Sequence, residues 1–404
     1  MQMKIGIIGG GAAGMTAAVT ASEMGHNVTI LEHENRIGKK ILLTGNGRCN
    51  LTNTDQALFH YHGQDPEFAA AVFKQCSYTD ALSFFTRLGI YTKNKNGCLY
   101  PYSEQASAVL DVLRIALKNR GVRVITECNI QSVKKTDCFS ITTDKEPYKF
   151  DKVIIAAGSK AAAQTGSDGS GYQLAKELGH HLIKPLPALV QLRSKEPYFK
   201  QLAGIRTTAS LDILCDGEYT GTEYGELQLT NYGLSGIPIF QLSHIAAKAL
   251  DLGQEVAVCI DFMPDMDSFH DICAYLQTRI RSCPEKTAEE LLIGVLHKKL
   301  GQLLIRLCNI RPDCLVKNLT EKDVERISGL IKRFTVPITS TNSFKEAQVC
   351  SGGVDTAELK TTLESKLVDG LYFAGEIVDI HGDCGGYNLQ WAWSSGIVAG
   401  RILS

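Results

Sequence analysis

Residues 4 to 32, KIGIIGGGAAGMTAAVTASEMGHNVTILE, confine the start of the chain to one architecture. A short apolar strand runs into Gly9-x-Gly11-x-x-Gly14, a helix follows, and a second apolar strand ends in Glu32. Each part has a physical reason. Gly9 permits a tight turn, Gly11 lets the backbone approach a pyrophosphate, and Gly14 lets the helix pack close to the strand. Phosphates then sit on the helix N-terminus, where free N–H groups and the positive end of the dipole favour an anion. Glu32 lies eighteen residues beyond Gly14, at the tip of the second strand, where a carboxylate accepts the hydroxyls of an adenosine ribose. The pattern predicts a Rossmann-like α/β domain that binds a dinucleotide. The stretch from Ile5 to Ser22 carries no charge, but five glycines in the dinucleotide pattern argue against a signal peptide or membrane span.

The 404 residues exceed one ordinary domain. A glycine-rich, small-polar stretch, NRIGKKILLTGNGRCNLTN (35 to 53), reads as a ligand-facing loop, and a helix is expected at about 66 to 88. A second helix has Ser103 as its N-cap, an apolar face of Val109, Leu110, Leu113, Ala116 and Leu117, and Gly121 as its stop. Three short strands follow, and the last, FDKVIIAAG, reads as a buried strand that delivers Ala157 and Gly158 to the ligand. From about Pro185 the pattern becomes β-rich to about Phe262, then helical over 265 to 333, and beyond Ser343 it returns to glycine turns and short strands. The expected organisation is a nucleotide domain made of both chain ends, 1–187 and 343–404. A β-rich part, 188–264, and a helical part, 265–342, interrupt it.

Formal charge is −1, with no polybasic run, which argues against a nucleic-acid or membrane partner and for a small-molecule substrate in the cytoplasm. Thirteen cysteines without a C-x-x-C pair fit neither a zinc site nor a disulfide framework, so reduced, mostly buried thiols are expected. His60, His62, His180 and His181 lack an acid or cysteine at ligand spacing, and no metal is expected.

The C-terminal segment GLYFAGEIVDIHGDCGGYNLQWAWSSGIVAGRIL (370 to 403) gives a strand ending in Glu376, a turn through Gly382, Gly385 and Gly386, and a helix starting near Asn388. A second helix N-terminus after a glycine turn can stabilise developing negative charge. With GKKILLTGNGRCNLTN, TGSDGSGYQLAKELGH, GELQLTNYGLSG, CSGGVDTAEL and GGYNLQWAWSSG, the whole chain resembles the BaiN-like (YhiN-like) bacterial flavoproteins of the glutathione-reductase-like FAD superfamily. The resemblance implies an FAD domain with an inserted β-barrel-like and helical region. It implies that Gly9, Gly11, Ala12, Ala13 and Gly14 cradle the pyrophosphate and that Glu32 binds the ribose. Lys40, Gly45, Arg48, Cys49 and Asn50 would line the loop near the cofactor, and Glu376, Gly386, Asn388 and Leu389 would approach the ribityl chain and flavin. Arg48 could equally tie the loop. Cys350 departs from the family, which more often has threonine before this Gly-Gly.

Disulfide reduction needs two neighbouring cysteines, and only Cys49 lies in the relevant loop. A second GxGxxG unit is missing, so NAD(P)H is expected to visit the flavin transiently as electron donor. The resemblance implies an FAD-dependent oxidoreductase acting on CH–CH bonds. Its favoured substrates are conjugated C=C bonds in 3-oxo bile-acid or steroid-like molecules, with hydride from flavin N5. Oxidation of small amines, in the manner of an aminoacetone oxidase, and a non-catalytic flavin-bound redox or interaction protein are the alternatives. Tyr387, Tyr232 and His381 are the candidate acids for a reductase.

Overall fold

The computed structural model describes residues 2–402 and divides into two compact units, Met1–Leu186 with Phe344–Ser404, and Pro187–Ser343. The first is built on a parallel sheet. Strands β1 (Lys4–Ile8), β2 (Asn27–Leu31), β3 (Arg123–Ile125), β4 (Lys152–Ile155) and β5 (Leu371–Phe373) lie in the order β5-β4-β1-β2-β3. Every pair is parallel, with Ile7 of β1 opposite Ile30 on one side and Ile154 on the other. The central strands are continuous apolar runs because both faces of a parallel sheet are covered.

Helices α1 (Ala12–Glu23) and α2 (Tyr387–Gly400) pack on each other through small residues. A Cβ on Gly396 would come within 2.5 Å of the Ala13 carbonyl, and one on Gly400 within 2.6 Å of the Ala17 carbonyl. Contact this close leaves no room for side chains, which is why alanine and glycine fill the seam. α2 is buried along nearly its whole length, and Trp391 and Trp393 anchor it by donating to the carbonyls of Gly375 and Leu51.

The expected helix over 66 to 88 is two helices, Pro66–Phe73 and Tyr78–Arg87. Ser77 ends the continuity because its side chain caps the second helix in a capping box with Asp80. The helix Ala106–Asn119 buries the expected apolar face, but Gln105, not Ser103, takes the N-cap position.

In the second unit, strands Arg206–Cys215, Glu218–Leu229 and Val256–Asp261 form an antiparallel sheet with Phe334–Ile338. Its seven-strand order begins at Phe334–Ile338 and ends at Ser340–Thr341, so one stretch of chain supplies both ends of the order, as in a barrel. Helices Ile237–Asp251, Phe269–Ser282, Lys298–Leu307 and Glu321–Lys332 accompany it. Their apolar faces share one core with the sheet, including Leu211, Val258, Leu300 and Ile327. No helix among the described residues is long and apolar enough to cross a membrane.

Candidate functional site

The turn between β1 and α1 is shaped by three glycines with different tasks. Gly9 has φ of +100°, and a Cβ there would meet the Ala156 carbonyl at 2.5 Å. A Cβ on Gly14 would sit 2.0 Å from the Gly9 carbonyl, so only glycine lets α1 start this close to the strand. At Gly11 a Cβ would meet nothing within 4 Å. The space beside Gly11 is therefore open, at the start of a helix that no side chain caps. An anion placed there meets unpartnered helical N–H groups.

Glu32 forms one wall of this turn. Its Oε2 accepts from the Gly10 N–H at 2.7 Å and its Oε1 from the Glu34 N–H at 2.8 Å. Each carboxylate oxygen keeps a lone pair for a ligand hydroxyl. The tie to Gly10 was not foreseen from sequence, although a carboxylate ending the strand beside a glycine turn is placed to make it.

Lys40 and Glu376, assigned separately from sequence, form an ion pair at 2.6 Å. Ser159 Oγ donates to the same Glu376 oxygen at 2.9 Å, and Lys40 Nζ reaches the Ala161 carbonyl at 3.3 Å. The first loop, the turn after β4 and the segment after β5 thus meet at one carboxylate. Ala157 and Gly158 lead into this turn, where Gly158 has φ of +74°. Sequence reasoning missed Ser159, although it directly follows Gly158.

Gly45, Asn46, Gly47 and Cys49 all have positive φ, which coils the loop tightly and buries the Cys49 side chain completely. Burial pushes the Cys49 thiol up to about 12, against a smaller opposing effect of the Thr44 hydroxyl. A thiol held protonated in this way is a poor nucleophile at neutral pH. The Arg48 side chain is about half exposed, 3.7 Å from Glu104, with its guanidinium 5.8 Å from the Tyr100 ring centre. All thirteen cysteines are free thiols.

At the start of α2, Gly386 has φ of +101°, and a Cβ there would press on the Thr52 backbone at 2.8 Å and on Asn50 Oδ1 at 3.0 Å. Asn50 is buried, and its Oδ1 has no hydrogen-bond partner among the described residues. The Asn388 side chain is spent on the turn: it accepts from Gly382 N at 2.8 Å and donates to the Gly382 and Asp383 carbonyls. Leu389 is half-buried against the core.

Tyr387 is buried and stacks on His60, ring centres 4.3 Å apart, with Tyr61 edge-on at 5.7 Å. Burial raises its phenol above the ordinary range, with Asp55 and Asp383 adding to the effect. His381 is also buried, opposite His62 in a short antiparallel pair, with the rings 5.2 Å apart. Tyr232 lies in the other compact unit, in the turn before Gly233–Ser235, with the Arg193 guanidinium 5.0 Å from its ring centre.

An open anion cradle, a carboxylate at the strand end beside it and a buried unsatisfied amide oxygen beside a second helix start all fit FAD. A parallel sheet carrying these features defines an FAD-dependent oxidoreductase with a Rossmann-type domain. The chain belongs to the HI0933-like family: residues 3–402 match the HI0933-like protein Rossmann domain. It is 45% identical to the 3-dehydro-bile acid delta(4,6)-reductase of Clostridium scindens, over 99% of each chain. It is 29% identical to the ribosomal RNA dihydrouridine synthase of Haemophilus influenzae, over 98% of each chain. With the Escherichia coli protein of the same name it shares 30%, over 96% of this chain and 95% of that one.

Proposed function

We propose that this protein is an NAD(P)H-linked reductase of conjugated C=C bonds in 3-oxo bile-acid or steroid-like substrates. The observation that carries the reading is the end-to-end likeness to the C. scindens reductase. Bound FAD supplies hydride chemistry, and the protein supplies binding, orientation and a proton. In this reading Gly9, Gly11, Ala12, Ala13 and Gly14 hold the pyrophosphate and Glu32 the ribose. The Lys40–Glu376 pair with Ser159, the backbone of Gly45 and Gly158, and the Asn50 oxygen line the cofactor. Gly386 and Leu389 set the start of α2, and Asn388 keeps its turn closed. Tyr387 is assigned the hydrogen bond to the 3-oxo group, with its phenol kept protonated by burial. Arg48 ties the loop to Glu104, and Cys49 fills the loop core without redox duty.

Anaerobically, NAD(P)H should bleach the bound flavin, and a 3-oxo-4,6-dienoic bile acid should restore its colour. Small amines that bleach a flavin left yellow by NAD(P)H would replace the reductase with an oxidase. The two dihydrouridine synthases favour a second reading, reduction of a uracil C=C bond in RNA. A net charge of −1 offers no overall attraction to a polyanion. Formation of dihydrouridine in a ribosomal RNA transcript, without turnover of the bile acid, would establish that reading instead.

A further inference from the structure

The turn that opens α2 carries a linked set of titratable side chains. Asp383 Oδ2 lies 2.9 Å from His60 Nδ1, and its Oδ1 lies 2.8 Å from His62 Nε2. The other nitrogen of His60 lies 3.3 Å from Asp55 Oδ2. Carboxylate and imidazole therefore alternate along one chain of contacts: Asp55, His60, Asp383, His62. Side-chain exposure falls from 59% at Asp55 to 17% at His60 and 12% at Asp383, and is 25% at His62. A carboxylate only accepts hydrogen bonds, so His60 satisfies both neighbours when both its ring nitrogens carry protons.

The chain is also fixed to the site. The Asp383 N–H donates to the His60 carbonyl at 2.9 Å, and the Asn388 side chain donates to the Asp383 carbonyl at 3.2 Å. Tyr387 stacks on His60, Tyr61 lies edge-on to Tyr387, and His381 faces His62. Asp379, the next carboxylate along this segment, accepts from the Gln64 N–H at 2.9 Å. Burial pushes the Asp383 carboxyl up, but the hydrogen bonds and charges of His62 and His60 together outweigh it and hold the carboxyl below its usual range.

We propose that Asp55, His60, Asp383 and His62 form a proton path from water to the substrate site at the start of α2. This inference rests on the reductase reading above. Saturating one C=C bond takes two electrons and one proton beyond the hydride nucleus. The hydride, ultimately from the nicotinamide donor, forms a C–H bond at one carbon while the π pair moves toward the 3-oxo group as an enolate. The proton forms the second C–H bond and returns the carbonyl. His62 gives up that proton and turns its vacated nitrogen to Asp383, whose carboxylate takes a proton from His60 Nδ1 and hands it to His62 as the carboxyl turns, and water reloads His60 at the Asp55 end. Asp55, His60 and Asp383 are thus positioning and relay residues.

Two measurements on the FAD-loaded full chain test this. In the first, ¹⁵N NMR follows the imidazoles through a pH titration without substrate, with His60 and His62 assigned from His60→Gln and His62→Gln. The path requires His60 and His62 to titrate in coupled steps that separate into independent ones in Asp383→Asn. Independent titration in the unmodified protein overturns it. In the second, stopped-flow mixing compares NAD(P)H bleaching with enone-driven recovery in H₂O and D₂O. Asp383→Asn should slow recovery roughly 100-fold, the scale of general acid catalysis, with a larger solvent isotope effect and unchanged bleaching. Asp55→Asn keeps the acceptor that caps Ala57 N and should slow recovery by a smaller factor, which guards against misfolding of the buried variant. Unchanged recovery in both variants, or equal slowing of bleaching and recovery, overturns the path. If the unmodified protein reduces no enone, the reductase reading fails by itself, and the histidine titration still decides the path.

Discussion

Glu32→Ala separates two tasks of one carboxylate. In the protein without cofactor, the substitution removes the acceptor of the buried Gly10 N–H, bonded at 2.7 Å, and of the Glu34 N–H. Glu34 is partly exposed and can turn to water, whereas Gly10 is buried and cannot. An unsatisfied buried N–H costs about 1–3 kcal/mol. At about 2–4 °C per kcal/mol for a unit of this size, the apo protein should stay folded but melt roughly 2–12 °C lower. Binding suffers separately, because a hydrogen bond to a charged group contributes about 1.5–3 kcal/mol, and losing even one weakens the FAD Kd roughly 10- to 150-fold. Thermal melting of the apo form and titration of FAD by fluorescence quenching read the two effects apart. Glu32→Gln, which keeps one carbonyl oxygen, should fall between. Full FAD occupancy in Glu32→Ala refutes the ribose assignment, and an unchanged apo melting temperature refutes the tether to Gly10.

Gly11→Val should give folded but colourless protein, because the side chain enters space that is open in the protein and needed by a pyrophosphate; normal FAD content would remove the cradle from the argument. Gly396→Ala drives a methyl to within 2.5 Å of the Ala13 carbonyl and should cost about 1–3 kcal/mol with loss of FAD affinity, so unchanged urea unfolding would show that the helix seam is not tight. Cys49→Ser should keep substantial activity, and the native Cys49 thiol should resist iodoacetamide at pH 8; complete loss of activity with FAD intact would revive thiol chemistry. The Asp383 carboxyl is depressed in the folded state, so its contribution to stability is present above the unfolded value of about 3.9 and is lost as pH falls through the lower folded value. The stability advantage over Asp383→Asn in urea should therefore be full near pH 6 and shrink below about pH 4, and a gap independent of pH would contradict the linkage.

What could be read from sequence was local. The cradle and Glu32 lie within one βαβ unit, where each residue's task follows from its neighbours. Ser77 breaks the 66 to 88 helix through a capping box whose second half, Asp80, was present in the sequence. Helix Ile237–Asp251 follows Gly236 with Pro238 in its first turn, a start signal that the surrounding alternating segments obscured. The partnerships that complete the site are not local. Lys40 and Glu376 are 336 residues apart, and Asp383 is 323 and 321 residues from His60 and His62. His60 and His62 have no acid at ligand spacing in the sequence, and the fold brings Asp383 to both from the far end of the chain as a hydrogen-bond partner. No periodicity in one sequence encodes such a pairing, because the sheet order and the α1–α2 seam set it.

The division of labour within the site bears on how one family holds relatives with different named substrates. The cradle is made of backbone groups, glycines chosen for close approach, and small residues in the α1–α2 seam, and none of these senses what lies beyond the cofactor. The groups that tie the C-terminal turn to the first sixty residues are equally indifferent: Asn53 Nδ2 donates to the Gly385 carbonyl at 3.1 Å, and Trp393 donates to the Leu51 carbonyl at 2.9 Å. These bonds fix where α2 begins without selecting a steroid ring or a uracil. Discrimination then falls to side chains outside the cradle, where loss of one matched hydrogen bond to a carbonyl or hydroxyl is enough to exclude the wrong ring system.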